Sequence, residues 1–316
     1  MYRFAVVLLA LAGCSLQPPY VPEPQPLEPG GLPTPNAALN LPHLGPCTDS
    51  ADRTLNLSTR HAVTVLVHGC NGSAGRFRSL AQLYAFHGQQ AICFSYDDRD
   101  SLLVSSSQLN SALDELARNM PGQEVTVIGH SMGGLVARKA MERGSDERRV
   151  DEPNVKLVTV SAPLAGIGVA SACGYKALHW LSLGAVPASC WMVTGDNWYE
   201  VTSSSPFIRK PGPLRASVRQ YLKVVTDERD TCRYKRSEGS CVASDYTFSL
   251  AEQYQPVIDA YPQVTNVEVK AGHVEIVGEK EVAPRKLLAI LQRQGLMADT
   301  APERRGALER LLAELY

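Results

Sequence analysis

Gly129-His130-Ser131-Met132-Gly133-Gly134 sets a serine hydroxyl among glycines. The apolar run Val125 to Ile128 precedes it, and Leu135 to Met141 follows with helix-like composition. A strand, Gly-x-Ser-x-Gly and a helix form an elbow in which the serine sits on a strained turn, and only glycine leaves room for the backbone around it. A serine hydroxyl is a weak nucleophile, so it needs a base to take its proton and an acid to orient that base. On this elbow the partners follow in the order serine, acid, histidine. Only His179 and His273 lie beyond Ser131. His273 follows the run Val264 to Val269 through Ala271-Gly272, at a strand's carboxyl end, where α/β sheets place their ligands. His273 is therefore the expected base. For the acid, the run Tyr221 to Thr226 leads into Asp227-Glu228-Arg229-Asp230, and Asp230, Asp227 and the later Asp245 are the candidates.

The developing oxyanion needs two backbone N–H groups. One is expected from Met132, the residue after the nucleophile. The other is expected from Cys70, in the loop His68-Gly69-Cys70-Asn71-Gly72-Ser73 that leaves the apolar run Ala62 to Val67. His68 then orders this loop rather than acting as base.

These residues must be held by elements, and the chain supplies them by alternation. Strand-like runs at Ala62 to Val67, Ala91 to Tyr96, Val125 to Ile128, Val155 to Val160, Tyr221 to Thr226 and Val264 to Val269 are separated by helical patterns. The helices fall at Arg76 to His87, Ser101 to Asn119, after the serine, and at Pro284 to Arg293. Such alternation predicts an α/β protein with a mostly parallel sheet and helices on both faces. Ala301 to Tyr316 reads as a surface helix with Leu308, Leu311, Leu312 and Leu315 on one face. About residues 164–213 break the alternation and carry all three tryptophans, Trp180, Trp191 and Trp198. We read this stretch as an inserted cap whose tryptophans line an acyl pocket, touch a membrane interface or pack the cap on the body.

Taken together, Val65-Leu66-Val67-His68-Gly69, the Gly129 to Gly134 elbow and His273 resemble an α/β-hydrolase of the lipase and esterase type. The likeness is to the GPI-inositol-deacylase-like and bacterial triacylglycerol-lipase-like groups, from about Ala62 to Ile290, and Thr202 to Phe207 is similar to a segment those lipases carry before the acid strand. In the family a glycine, two residues and the catalytic aspartate follow that strand. Asp227 stands in the glycine's place, which makes Asp230 the match and Asp227 the alternative acid. The resemblance implies a serine hydrolase of carboxylic esters, acting through Ser131, Asp230 and His273 and an acyl-enzyme. A thioesterase or amidase with the same triad, or an inactive binding lipoprotein on the same scaffold, is the alternative. No metal or organic cofactor is implied.

Composition narrows the partners. A net charge of -1 over 316 residues, with no block of basic residues, gives no reason to expect nucleic acid. The amino terminus, Met1-Tyr2-Arg3 followed by an apolar run to Ala12, is too short to span a bilayer and reads as a secretory signal covering residues 1–13. Leu11-Ala12-Gly13-Cys14 resembles the lipobox of bacterial lipoproteins, which implies lipidation of Cys14 and a place in the bacterial cell envelope; Ser15 points to the outer membrane. The proline-rich stretch up to Pro46 reads as a tether, leaving residues 47–316 as the hydrolase domain. The eight cysteines suit an oxidising compartment. Cys232 with Cys241 and Cys173 with Cys190 are the expected bonds. A Cys47–Cys70 bond would pin the oxyanion loop. The expected partners are thus an ester or acyl-lipid substrate and a membrane; the sequence leaves oligomeric state open.

Overall fold

Val63, Val65 and Val67 alternate with Thr64 and Leu66, and all five are buried. A strand buried on both faces belongs inside a sheet covered on both sides. The computed structural model describes residues 31–143, 154–279 and 281–316 and builds this arrangement.

The strands are β1 (Ala37–Leu39), β2 (Leu44–Gly45), β3 (Leu55–Leu57), β4 (Val63–Val67), β5 (Gln90–Phe94), β6 (Glu124–His130), β7 (Asn154–Val160), β8 (Val218–Asp227), β9 (Cys232–Lys235), β10 (Cys241–Ser244) and β11 (Val264–Lys270). Seven form the main sheet in the order β11-β8-β7-β6-β4-β5-β2. All neighbours in it are parallel except β2, which runs antiparallel to β5. Helices α1 (Arg78–Phe86), α2 (Leu102–Asn119) and α3 (Met132–Ala140) connect the early strands. Between β7 and β8 lie α4 (Ser171–Gly174), α5 (Lys176–Leu181), α6 (Ala185–Thr194) and α7 (Pro206–Arg209). The short α8 (Leu250–Gln253) and α9 (Pro256–Asp259) precede β11, and α10 (Arg285–Arg293) and α11 (Arg305–Leu315) follow it.

Two apolar clusters sandwich the sheet. Val65, Val127 and Leu157 meet Leu109, Leu113 and Leu116 of α2 and Leu135 and Val136 of α3 on one face. Leu66, Ile128, Val158 and Leu222 meet Leu80 and Leu83 of α1 and Leu287 and Leu291 of α10 on the other. Leu312 of α11 is buried in this second cluster, with Leu308, Leu311 and Leu315 partly buried against it. The predicted α/β class, with a mostly parallel sheet and helices on both faces, is the observed one.

The proline-rich stretch differs from its sequence reading. Instead of a tether up to Pro46, the folded body starts earlier: β1 pairs β3, and Leu44 of β2 pairs Phe94 and is buried. The proline content hides Leu39, Leu41 and Leu44, whose apolar side chains give this stretch something to bury. The Cys173–Cys190 and Cys232–Cys241 bonds are present, but Cys47 is bonded to Cys93 rather than to Cys70. Cys93 lies in the core strand β5 beside the β2 edge, so this bond fixes the edge and not the oxyanion loop. The signal, Cys14 and the rest of residues 1–30 lie outside the described residues.

Between β7 and β8 the chain is helical with no strand among its described residues, and the Cys173–Cys190 bond ties α4 to α6. Trp180, Leu183 and Trp191 stand largely in solvent, at 84%, 96% and 52% exposure. Trp180 and Leu183 therefore pack little against the body, whereas half-exposed Trp191 donates its ring N–H to Asp196 Oδ1 at 2.8 Å. Trp198 packs edge-on against His179. Among the described residues no helix is long and apolar enough to cross a membrane.

Candidate active site

The elbow is formed between β6 and α3. Ser131 has φ 56° and ψ -127°, a backbone state that L-residues rarely adopt. Its N–H donates to Val160 O at the end of the adjacent β7 (2.9 Å), which holds the turn in place. A Cβ on Gly133 would lie 2.2 Å from His68 O and 2.4 Å from Val67 O, both backbone atoms, so no larger residue fits. Ser131 is buried, with its hydroxyl turned toward His273.

His273 Nε2 is 3.1 Å from Ser131 Oγ. Its Nδ1 is 3.0 Å from Glu228 Oε1. Both residues are buried. Serine, imidazole and carboxylate are thus in line, in the order the elbow requires. The Glu228 carboxylate is densely bonded. Oε2 accepts from the N–H groups of Thr247 (2.6 Å) and Phe248 (2.7 Å), and Oε1 accepts from the hydroxyl of Ser161 (2.5 Å), with Thr226 Oγ1 also 2.9 Å away. Burial pushes this carboxyl upward, but the bonds from His273, Ser161 and Phe248 outweigh it and hold it below the ordinary glutamate range. It is therefore the anion that an imidazolium at His273 needs beside it.

The expected acids are not at the site. Asp230 is solvent-exposed, sits in a positive-φ turn after β8 (φ 57°), and makes no bond to His273. Asp227 faces away, bonded to Arg229 at 2.7 and 2.8 Å and to Lys270 at 3.5 Å. The acidic partner of His273 is Glu228, which follows Asp227 directly. Side chains alternate along a strand, so Thr226 and Glu228 share the side facing His273, whereas Asp227 takes the other. Carrying the period of β8 one residue past its end identifies Glu228; counting from a family spacing does not.

Asp245, the third candidate, supports the base loop instead. Its backbone carbonyl accepts the His273 N–H (2.9 Å), and its carboxylate accepts the N–H groups of Val274 and Glu275 at 2.9–3.1 Å. His130 adds a further hold, with Nε2 2.8 Å from His273 O. Burial, with His273 beside it, pushes His130 down to about 3, so it donates there as a neutral ring. Glu228 and Asp245 bracket the disulfide-closed ribbon of β9 and β10. Glu228 and His273 are thus both held next to the two ends of this ribbon.

On the oxyanion side, Met132 opens α3 directly after the serine. The β4 loop comes against it: a Cβ on Gly69 would sit 2.7 Å from Ser131 Cβ, which brings Gly69-Cys70 beside Ser131. His68 is buried and pushed down to about 4 by that burial. Its Nδ1 is 3.0 Å from Gly69 O, its ring stacks on Tyr96 at 4.4 Å, and Tyr96 OH donates to its carbonyl at 2.7 Å. A neutral histidine so engaged orders the loop. Among the described residues no cluster of His, Cys, Asp and Glu could hold a metal ion.

Residues 49–173 match a family described as "Alpha/beta hydrolase of unknown function (DUF900)", a span that holds the β4 loop, the elbow and Ser161. No curated protein sequence matches the chain significantly. Among solved structures, the Bacillus licheniformis lipase BlEst2 in propeptide form is similar at 13% identity and a TM-score of 0.50, covering 81% of this chain and 53% of that one. Its mature form gives 15% identity and 0.48, covering 74% and 91%. An esterase of Thermogutta terrifontis gives 16% and 0.44, covering 77% and 86%. At such identities the likeness concerns the fold. The strand order, the helices on both faces and the elbow give this chain the α/β-hydrolase fold, and residues 49–173 are similar to that family.

Proposed function

We propose that the protein is a serine hydrolase of carboxylic esters, with Ser131 as nucleophile, His273 as general base and acid, and Glu228 orienting His273. The observation that carries this reading is the buried, hydrogen-bonded line from Ser131 Oγ through His273 to Glu228. Ser131 Oγ attacks the acyl carbon while its proton passes to His273 Nε2. The carbonyl oxygen takes the negative charge and is met by the Met132 and Cys70 N–H groups. Collapse expels the alcohol, which takes the proton from His273, and leaves an acyl-Ser131. Water, deprotonated by His273, then releases the acid and restores the serine.

Acyl lipids are the proposed substrates. The cap presents Trp180, Leu181, Leu183 and Met192 to solvent, and the Cys14 lipobox would hold the enzyme at a bilayer, more specifically the outer membrane. One acyl chain anchors weakly, and the double acylation of a lipoprotein cysteine is the stable form.

A fluorophosphonate probe tests the enzyme: the wild type should be labelled, and Ser131→Ala should not. Unlabelled, correctly folded wild type would refute the reading. A panel of acyl esters, thioesters and amides should then show esters cleaved fastest. Metabolic labelling with a palmitate analogue should mark the full chain and fail in Cys14→Ser.

A further inference from the structure

Ser161 has no part in the triad, yet it lies at its centre. It follows β7 and is completely buried. Its Oγ is 2.8 Å from His273 Nδ1 and 2.5 Å from Glu228 Oε1, and Thr226 Oγ1 stands 2.9 Å from it. A hydroxyl has one proton and two lone pairs. The carboxylate is acceptor-only and claims the Ser161 proton. The two lone pairs are left for the Thr226 hydroxyl and for the ring N–H. Toward His273, Ser161 is therefore an acceptor. We propose that Ser161 is a positioning residue that shares the Nδ1 proton of His273 with Glu228, so that two acceptors, rather than one, fix the working tautomer of the base.

The backbone supports this assignment. Ser161 has φ 47°, where glycine would sit with less strain, and its N–H is held by Val224 O at 2.9 Å. A serine in glycine's conformation, sealed from water, points to a use for its hydroxyl. The other groups around the ring leave it that use. Ser131 is at Nε2, and the rings of Phe248, set perpendicular, and His130 lie 4.9 and 4.7 Å away between centroids. The Asp245 carboxylate is taken by Val274 and Glu275 N–H groups. Among the described residues, Glu228 supplies the carboxylate bonded to the ring.

The inference rests on the hydrolase reading for its kinetic test but not for its spectroscopic one. Ser161→Gly removes the hydroxyl while suiting the positive φ. It should lower kcat on a soluble ester about tenfold, the worth of one buried hydrogen bond, with KM little changed. Losing the hydroxyl's donation leaves the carboxylate more basic, so the acid limb of the pH–rate profile should move to higher pH. The downfield proton resonance of His273 Nδ1 should move too. In a Glu228→Gln background, Ser161→Gly should remove at least a further tenfold. A folded Ser161→Gly protein with an unmoved limb and resonance, or one that costs nothing more in the Glu228→Gln background, would overturn the proposal. If the wild type neither hydrolyses esters nor takes the fluorophosphonate, the hydrolase reading fails, and the resonance still reports whether Ser161 holds the ring.

Discussion

Replacing Glu228 with glutamine keeps the shape of the acid and removes its charge, and the surrounding bonds dictate how the amide must sit. Two backbone N–H groups, of Thr247 and Phe248, point at Oε2. The amide of a glutamine must offer its oxygen there, because turning its NH₂ toward them would set donor against donor in a buried site. The NH₂ then faces His273 Nδ1. A neutral imidazole avoids that clash by carrying its proton on Nε2, which points at Ser131 and can no longer accept the serine's proton. In serine proteases this exchange of acid for amide costs about ten-thousandfold in kcat. Ser161 Oγ, 2.8 Å from Nδ1, still offers an acceptor for the correct tautomer, so we expect about a thousandfold, equivalent to about 4 kcal/mol in the barrier. The assay is kcat/KM on a soluble chromogenic ester near neutral pH, with circular dichroism as the folding control. Asp230→Asn, at an exposed turn, and Asp227→Asn, at a surface pair with Arg229, should each stay within about threefold of wild type, as exposed ion pairs contribute little. Near-normal activity in Glu228→Gln, or its loss in Asp230→Asn, would refute the assignment.

Gly133→Ala would drive a Cβ into two backbone carbonyls; it should cost about 1–3 kcal/mol or more in urea unfolding and abolish fluorophosphonate labelling, and an unchanged midpoint would contradict the close approach. His68 is held near 4 against an ordinary 6.5 by burial, so the unfolded chain takes up its proton first as pH falls. The stability this group contributes is complete above about 6.5 and is lost toward about 4, by about 3 kcal/mol; a urea midpoint that rises as pH falls through that window would refute it. Cys47→Ala with Cys93→Ala opens a loop of sequence separation 46, worth up to about 4 kcal/mol by chain entropy; an undiminished melting temperature would show the bond to be idle. Trp180→Ala, at 84% exposure, should leave the melting temperature and soluble-ester rate unchanged while slowing hydrolysis of dispersed acyl lipid, and equal rates on both substrates would argue against the cap as a lipid contact.

What the sequence disclosed depends on the range of the interactions involved. The six parallel strands are legible because each is a local apolar run, and Ser131 because its elbow is written in six consecutive residues. His273 is reachable by elimination among few histidines. The acid is not, because three carboxylates crowd four positions after Thr226, and only the direction of each side chain separates them. That direction is available in the period of the strand, with Val224, Thr226 and Glu228 on one side, but the family's aspartate spacing points past the glutamate. Ser161 is out of reach. Its partners are 65, 67 and 112 residues away, and nothing nearby in the sequence marks its positive φ. The early start of the fold is obscured for the opposite reason, since a proline-rich composition outweighs three leucines.

The site's rigidity has a backbone origin. β6, β7 and β8 are neighbours in the sheet, and residues just past their carboxyl ends, Ser131, Ser161 and Asp230, all carry positive φ. Such residues cost on the order of 1–3 kcal/mol each and persist only where the surroundings over-determine them. Here each of the two serines is pinned by its own N–H to a carbonyl of the next strand, Ser131 to Val160 and Ser161 to Val224. Ser131 is therefore referenced to β7, and Ser161, whose hydroxyl lies beside His273, to β8. The turn at Asp230 then sends the chain into the ribbon whose far end returns to hold Glu228 through Thr247 and Phe248, and His273 through Asp245. Strain at three strand ends and one closed insertion thus fix four side chains from distant parts of the sequence. A line of side chains of this kind tolerates little displacement, and the backbone at these strand ends is what holds it.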